Sequence, residues 1–378
     1  MPRNIYADWN GTTPIGQTAQ TWMGKAIASW GNPSSIHQVG QAARGLLDEA
    51  RAEIARVCER KPAEVVFTSG GSEANTMALW GSSLLKPGFK LLTLPVEHSS
   101  VRATCPMVTK QGGTVEKVKI QASGQLNWPD FVTKLEEFQP DLVSIMAANN
   151  ETGVIYPLPE IIAECRARGV KVHTDAVQAF GKLPASFWNG ADLISLSAHK
   201  ILGPKGVGAL LVSEGLQLQS THFGGSQETK RRGGTENMVG IAGFAGACRE
   251  LSPACQEKLG PWRDAFEAHL TSTLTDISIL GRDTRRLGNT SKIWFGGISS
   301  EILLGALDLD GLFVSSGSAC SSGSLMPSPV MLAMGLTEKE ALECLRFSWG
   351  PNTTEDDVAT AAQLVASHVT RIRERKKQ

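Results

Sequence analysis

The chain has 378 residues, 41% of them hydrophobic, enough for a large core and more than one domain. Lys plus Arg and Asp plus Glu balance at 37 each, so charge gives no general case for a nucleic-acid or anionic-membrane partner. No segment reaches membrane-spanning length without charges or breaks, and Met1-Pro2-Arg3-Asn4 ahead of Ile5-Tyr6-Ala7-Asp8 is not a secretory signal.

In chain order, residues 5–14 read as a short strand and a tight turn, and 15–29 as a helix. Gly31 to His37 form a loop dense in hydrogen-bonding side chains, the kind that caps helices. Leu46, Leu47, Ala50, Ile54 and Val57 mark the apolar face of a long helix over 40–57. From Val65 the pattern becomes strand, turn, helix. A strand over 65–68 leads into the small-residue turn Ser69-Gly70-Gly71-Ser72-Glu73-Ala74-Asn75, then a helix over 76–85. Exposed amides at such a turn can seat a phosphate, although the glycine spacing matches neither the dinucleotide nor the P-loop pattern.

Strands are expected over 90–95, 113–119, 141–148 and 170–174, with helices over 128–138 and 159–168. A strand over 191–197 enters Ser197-Ala198-His199-Lys200, and a second apolar run, 207–212, leaves the Gly/Pro turn that follows. Alternating strands and helices imply an α/β sheet whose strand ends form the ligand crevice. His98, Asn150, Asp175, Gln178, His199 and Lys200 all follow apolar runs. A lysine in a turn is ordinarily a surface charge. Held in a poorly solvated pocket, it loses its proton more easily and becomes reactive toward aldehydes. An acid to protonate a pyridine nitrogen and a turn of amides for a phosphate complete the set that pyridoxal phosphate requires.

A glycine-rich charged loop over 221–237 precedes a helix over 239–250, and the broken composition of 252–261 marks the main boundary. Beyond it come a helix over 262–274, strands over 277–280 and 289–295, and a helix over 299–307. Short helices over 327–336 and from 338, a strand over 343–349 and a final helix over 354–371 complete the chain. Arg346 lies in an apolar frame, as a residue gripping a carboxylate does. The seven cysteines are odd in number and lack C-x-x-C spacing, which argues against disulfides or structural zinc and suits a reducing cytoplasm. The other six mostly fall in or near expected elements, where core packing is the default; Cys320 lies in a Ser/Gly-rich loop, where reach is favoured over packing.

As an ordered set, several motifs resemble the NifS/IscS-type cysteine desulfurases of the class-V aminotransferase-like family. They are Tyr6-Ala7-Asp8 through Thr12-Thr13-Pro14, Asn32-Pro33-Ser34-Ser35 with His37, Thr68-Ser69-Gly70 with Ser72-Glu73 and Asn75, Glu97-His98, Asn149-Asn150-Glu151-Thr152-Gly153, Asp175-Ala176-Val177-Gln178, Ser197-Ala198-His199-Lys200, Arg232-Gly233-Gly234-Thr235, Ser315 through Cys320, and Arg346-Phe347-Ser348. The resemblance covers nearly the whole chain. It implies a fold-type I pyridoxal phosphate enzyme, with a mostly parallel central sheet, helices on both faces and a smaller α+β domain. The expected division is 15–255 for the large domain and 1–14 with 256–378 for the small one.

The resemblance implies Lys200 as the cofactor-bearing lysine, His98 stacked on the ring, Asp175 at the ring nitrogen and Gln178 at the phenolic oxygen. Gly71, Ser72, Ser197 and His199 would hold the phosphate, joined by Thr235 from a second copy in a homodimer. Asn150 and Arg346 would orient the carboxylate of L-cysteine, and Cys320 would accept its sulfur for an acceptor or iron–sulfur scaffold protein. Gly71 and Gly11 stand where the family commonly has alanine. A selenocysteine lyase or another class-V pyridoxal phosphate enzyme acting on a β-substituted amino acid, and a non-catalytic docking module for sulfur carriers, are the alternatives.

Overall fold

A computed structural model describes residues 4–251, 254–317 and 326–376, with only the backbone of 254–256. The chain opens with β1 (Ile5–Tyr6), α1 (Gln17–Ala28) and α2 (Gln38–Val57). The elements that follow are β2 (Val65–Thr68), α3 (Gly71–Ser83), β3 (Lys90–Thr93), α4 (Ser99–Lys110), β4 (Thr114–Lys117), α5 (Trp128–Phe138) and β5 (Leu142–Ser144). Then come α6 (Leu158–Ala167), β6 (Lys171–Asp175), β7 (Leu193–Ser197), β8 (Gly208–Val212) and α7 (Met238–Arg249).

The central sheet has seven strands in the order β2-β8-β7-β6-β5-β3-β4. Strands β7, β6, β5, β3 and β4 run parallel, while β8 runs antiparallel to both of its neighbours. Both faces are covered, so the strands are apolar on both sides. Val65, Phe67, Leu92, Val143, Ile194 and Leu211 point into a core shared with α1, α2, α5, α6 and α7. Their neighbours Val66, Leu91, Leu142, Leu193 and Leu210 point the other way, against α3 and α4.

The chain continues with α8 (Ala254–Thr273), β9 (Ile277–Ile279), β10 (Thr290–Phe295), α9 (Ser300–Leu309), β11 (Leu312–Phe313), α10 (Pro329–Ala333), α11 (Glu338–Ala341), β12 (Cys344–Ser348) and α12 (Glu355–Arg375), with Val330, Met331 and Ala341 of α10 and α11 packed in the core of the central sheet. Strands β12-β10-β9 form an antiparallel sheet. Its core joins Phe266, Phe295, Phe347 and Trp349 to Val365 and Val369 of α12. The first residues of the chain belong to this core: β1 pairs in parallel with β11, Ile5 opposite Leu312, and the Ser348 amide donates to the Ala7 carbonyl at 2.8 Å.

Three expectations need correction. No helix is expected between the strands ending near 95 and starting near 113, yet α4 fills that gap. It buries Val101, Thr104, Cys105 and Val108 on one face, and Pro106, usually a helix breaker, lies within it. Helix α3 begins at Gly71, not at 76, because Gly70 adopts φ 153° and Glu73 accepts from the Ser69 amide at 2.7 Å. The helix expected from 262 begins at Ala254 and runs through Pro261. Among the described residues, no helix is long and apolar enough to cross a membrane.

The close approach of Trp9 to Gly350 ties the two ends of the chain together. A Cβ at Gly350 would lie 1.9 Å from Trp9 Cδ2, and Trp9 is buried, so the ring has nowhere to yield cheaply. Gly350→Ala should therefore destabilise the fold by about 1–3 kcal/mol, an overpacking cost. Urea denaturation should show a lower midpoint at unchanged slope; an unaltered midpoint would contradict this packing.

Candidate active site

Strands β3, β5, β6 and β7 are parallel, so their C-terminal ends open on one edge of the sheet. Asp175 is the last residue of β6 and Ser197 the last of β7, while His98 and Asn150 lie shortly beyond β3 and β5. Lys200 occupies a single tight turn, Ala198–Lys200, in the connection from β7 back to β8. Leu202 follows in the left-handed region at φ 69°. That strained conformation is held by the Thr13 hydroxyl, which accepts from the Leu202 amide at 2.8 Å, and by the Leu202 carbonyl, which accepts from the Gly16 amide at 2.8 Å.

The Lys200 side chain turns toward the N-terminal turn. Its Nζ donates to the carbonyls of Asn10 at 2.6 Å and Gly11 at 2.7 Å. Desolvation brings its pKa down to about 8, with a further push from the Arg346 guanidinium against the pull of Asp8 and Asp175. Two carbonyl acceptors favour the charged amine, but burial outweighs them.

Asp175 is held from two sides: Asn75 Nδ2 donates to Oδ2 at 2.7 Å and the Val177 amide to Oδ1 at 3.0 Å. Asn75 also donates to the Ser100 hydroxyl at 2.9 Å, and Ser100 Oγ lies 2.8 Å from His98 Nδ1. The Oδ1 of Asn75 is buried with no partner among the described residues. Desolvation lowers the His98 pKa, which Asp175 partly offsets and Lys200 and Arg102 reinforce, so the ring is neutral near pH 7. Gln178 is buried, donating to the Asn10 carbonyl at 3.1 Å and accepting from Lys182 at 2.8 Å.

Beside this group a cavity of about 360 Å³ lies at the N-terminus of α3, lined by Gly71, Ser72, Ser197, His199 and Lys205 among others. Desolvation, with Lys200 and Lys205 nearby, brings His199 down to about 4, and its Nδ1 lies 3.2 Å from the Thr12 hydroxyl. The helix start, two serines and a lysine suit an anion. Thr235 lines an adjoining cavity with Arg232 and Glu236, not this one. On the other side, buried Arg346 donates to Asp8 Oδ1 at 2.5 Å and to the Asn150 carbonyl at 2.9 Å, while its Nε has no partner among the described residues.

Thus Lys200, Asp175, His98, Gln178, Asn150 and Arg346 converge, with Gly71, Ser72, Ser197 and His199 around the adjacent cavity. Cys320 lies outside the described residues. Sequence reasoning missed the most connected residue of the site, Asn10. Besides accepting at its carbonyl, its side chain donates to the Asn150 carbonyl at 3.2 Å and Thr290 Oγ1 at 2.9 Å, and accepts from Lys182 and Asn289, each at 3.0 Å. Asp8, Asn75 and Lys205 were missed as well. Asp8, Asn10 and Asn75 lie in stretches that carry the family resemblance, but that resemblance assigned them no role.

The residues fit pyridoxal phosphate: an easily deprotonated lysine, an oriented acid, a neutral imidazole and an anion cradle share one crevice. The model of the class-V aminotransferase family matches residues 5–360. The cysteine desulfurase IscS of Dictyoglomus turgidum is 38% identical over 366 residues, covering 95% of this chain and 92% of that one. A solved NifS-like protein superimposes with a TM-score of 0.89 at 29% identity, covering 97% of this chain and 100% of that one. SspA in complex with cysteine superimposes at 0.80 with 30% identity, covering 93% of this chain and 100% of the other.

Only a neutral amine is nucleophilic, so lowering a lysine's pKa moves its reactivity to lower pH. Reductive methylation of the cofactor-free protein, read by peptide mass spectrometry, should give a Lys200 rate rising through pH of about 8. Exposed Lys61, whose pKa Glu214 raises, should respond only at higher pH. A Lys200 profile matching that of Lys61 would contradict the buried, desolvated setting.

Proposed function

The chain belongs to the class-V aminotransferase family and, within it, to the pyridoxal phosphate-dependent cysteine desulfurases of the NifS/IscS type, and on that premise we propose that it moves the sulfur of L-cysteine onto Cys320 as a persulfide and releases L-alanine. The observation that carries this reading is Lys200, half-buried and brought down to about 8 beside Asp175 and Arg346.

Pyridoxal phosphate, when bound, supplies a sink for the charge that develops at the substrate Cα. Lys200 would hold it and, once freed by substrate, carry the Cα proton on Nζ. Asp175, oriented by the Asn75 amide and the Val177 amide, would keep the ring nitrogen protonated. Neutral His98 would pack on the ring and Gln178 would meet its phenolic oxygen. Gly71, Ser72, Ser197 and His199 would bind the phosphate, with Lys205 adding a positive charge that the cavity already presents. Arg346 and Asn150 would orient the substrate carboxylate.

In the net reaction, a sulfur–sulfur bond forms to Cys320 and the substrate Cβ–S bond breaks. Its electron pair stays on Cβ, which gains a proton and becomes the methyl of alanine. Carbon is reduced and sulfur oxidised, so no outside oxidant is required. The described cysteines suit this role poorly. Cys58, Cys105, Cys165, Cys248 and Cys344 are buried, and desolvation raises the pKa of every one, Cys165 and Cys344 to about 12.

We also propose a large domain of 15–255 and a small one of 1–14 with 256–378. The division would place the site between Asp8, Asn10 and Arg346 on one side and Asp175, Gln178 and Lys200 on the other. The protein would act as a homodimer in the cytoplasm, Thr235 serving the phosphate of the second copy, and pass sulfur to an acceptor or iron–sulfur scaffold protein.

The test is alanine and sulfide release from L-cysteine with a thiol reductant. Cys320→Ala should abolish thiol-dependent turnover while leaving the visible band of the bound cofactor, whereas Lys200→Ala should lower turnover by roughly 10²-fold or more and change the band. Full desulfuration by Cys320→Ala would refute the persulfide role. Turnover of L-selenocysteine but not L-cysteine would make the protein a selenocysteine lyase.

A further inference from the structure

A buried ion pair outside the crevice joins both ends of the segment that carries Cys320. Lys292 in β10 and Glu151 just beyond β5 are 0% and 4% exposed, and Lys292 Nζ lies 3.4 Å from Glu151 Oε2. Taking two such charges out of water is unfavourable unless further hydrogen bonds satisfy them. Here those bonds go to the chain on either side of residues 318–325. Lys292 Nζ donates to the Ser316 carbonyl, and the Ser328 hydroxyl donates to the Glu151 carboxylate, 2.8 Å from each oxygen.

The backbone around these contacts is shaped to meet them. Gly317 has φ 88°, and a Cβ there would lie 2.7 Å from Lys292 Nζ and 3.0 Å from Glu151 Oε2, so only glycine lets the chain pass over the pair. Ser328 also caps α10, accepting from the Val330 amide at 3.2 Å. One residue upstream of Ser316, the Ser315 carbonyl accepts from the Arg346 amide at 2.7 Å. Lys292 stands directly opposite Arg346 across the β10–β12 ladder. Two like charges side by side on one sheet face repel. They are kept apart in function by separate anions, Asp8 for Arg346 and Glu151 for Lys292.

We propose that Glu151 and Lys292 are positioning residues for sulfur transfer: a clamp that pins both ends of the Cys320 segment at one point beside Arg346. This rests on Cys320 being the sulfur acceptor. Cys320 lies four residues after Ser316. Four residues of fully extended chain span at most about 14 Å, so the place at which Ser316 is fixed limits how far the chain after it can reach. Pinning the ends raises the local concentration of the thiol at the substrate sulfur without touching the steps at Cα.

The test uses the holoenzyme carrying Lys292→Met with Glu151→Gln, which removes both charges and leaves neither buried alone. A second variant, Gly317→Ala, leaves the ion pair in place and pushes the chain off it. Two rates are compared with wild type: exchange of the α-proton of L-alanine with solvent deuterium, which needs no Cys320, and single-turnover persulfide formation on Cys320 by mass spectrometry. Both variants should keep exchange within roughly twofold and slow persulfide formation by roughly tenfold or more. Persulfide formation at the wild-type rate overturns the clamp, and so does an equal fall in both rates, which marks the pair as fold support only. Absence of a persulfide on Cys320 in wild type removes the sulfur-acceptor reading itself, independently of either variant.

Discussion

The carbonyls of Asn10 and Gly11 receive the Lys200 amine, and the rest of the site depends on that contact. It crosses between two sets of elements. The turn containing Asn10 grows out of β1, which is packed with the C-terminal strands, whereas Lys200 hangs from the central sheet. The same Asn10 carbonyl takes the Gln178 amide, and its side chain reaches Asn150 and Thr290. One buried asparagine therefore sets the spacing between Lys200 and Gln178 on one side and Asn150 and Thr290 on the other. Small buried amides suit such a post: they donate and accept at once and bring no charge of their own.

Charge in the crevice is arranged in opposition. Arg346 and Lys200 repel; Asp8 pairs with Arg346, while the charges of Asp8 and Asp175 attract the Lys200 amine that the Asn10 and Gly11 carbonyls receive. The result is a lysine that keeps its place yet is easily discharged, and a guanidinium whose Nε still lacks a partner among the described residues. Polar groups left incompletely satisfied in a buried pocket are ones a ligand can complete.

Much of this architecture was legible in the sequence because most of the central strands are short, rich in Val, Leu and Ile and followed at once by polar residues. The helix α5 falls on the expected 128–138, and β2 and β6 to β8 fall within a few residues of expectation. The failures have local causes. Helix α4 hides because Pro106 and several Ser and Thr residues lower its apparent propensity, while Val101, Cys105 and Val108 keep its buried face. The start of α3 reads as a turn because Gly70, Gly71 and Ser72 are poor helix formers, although Glu73 caps the first turn. Asn10 was missed for another reason. Its importance lies in contacts with residues 140 to 280 positions away, which no local pattern reports.

The pairing of β1 with β11, and of Ala7 with Ser348, bears on how the protein is made. Residues 5–11 emerge about 300 residues earlier in synthesis than their partners at 312–313 and 346–349. Strands β7 and β8, by contrast, are neighbours joined by a short connection, a local contact that forms early. The lysine can therefore be positioned in a sheet that is already assembled while the carbonyls that receive it wait for the last strand. The reactive pocket closes only after those later strands have emerged, so a nascent chain that stops short of them carries the lysine without the rest of its site.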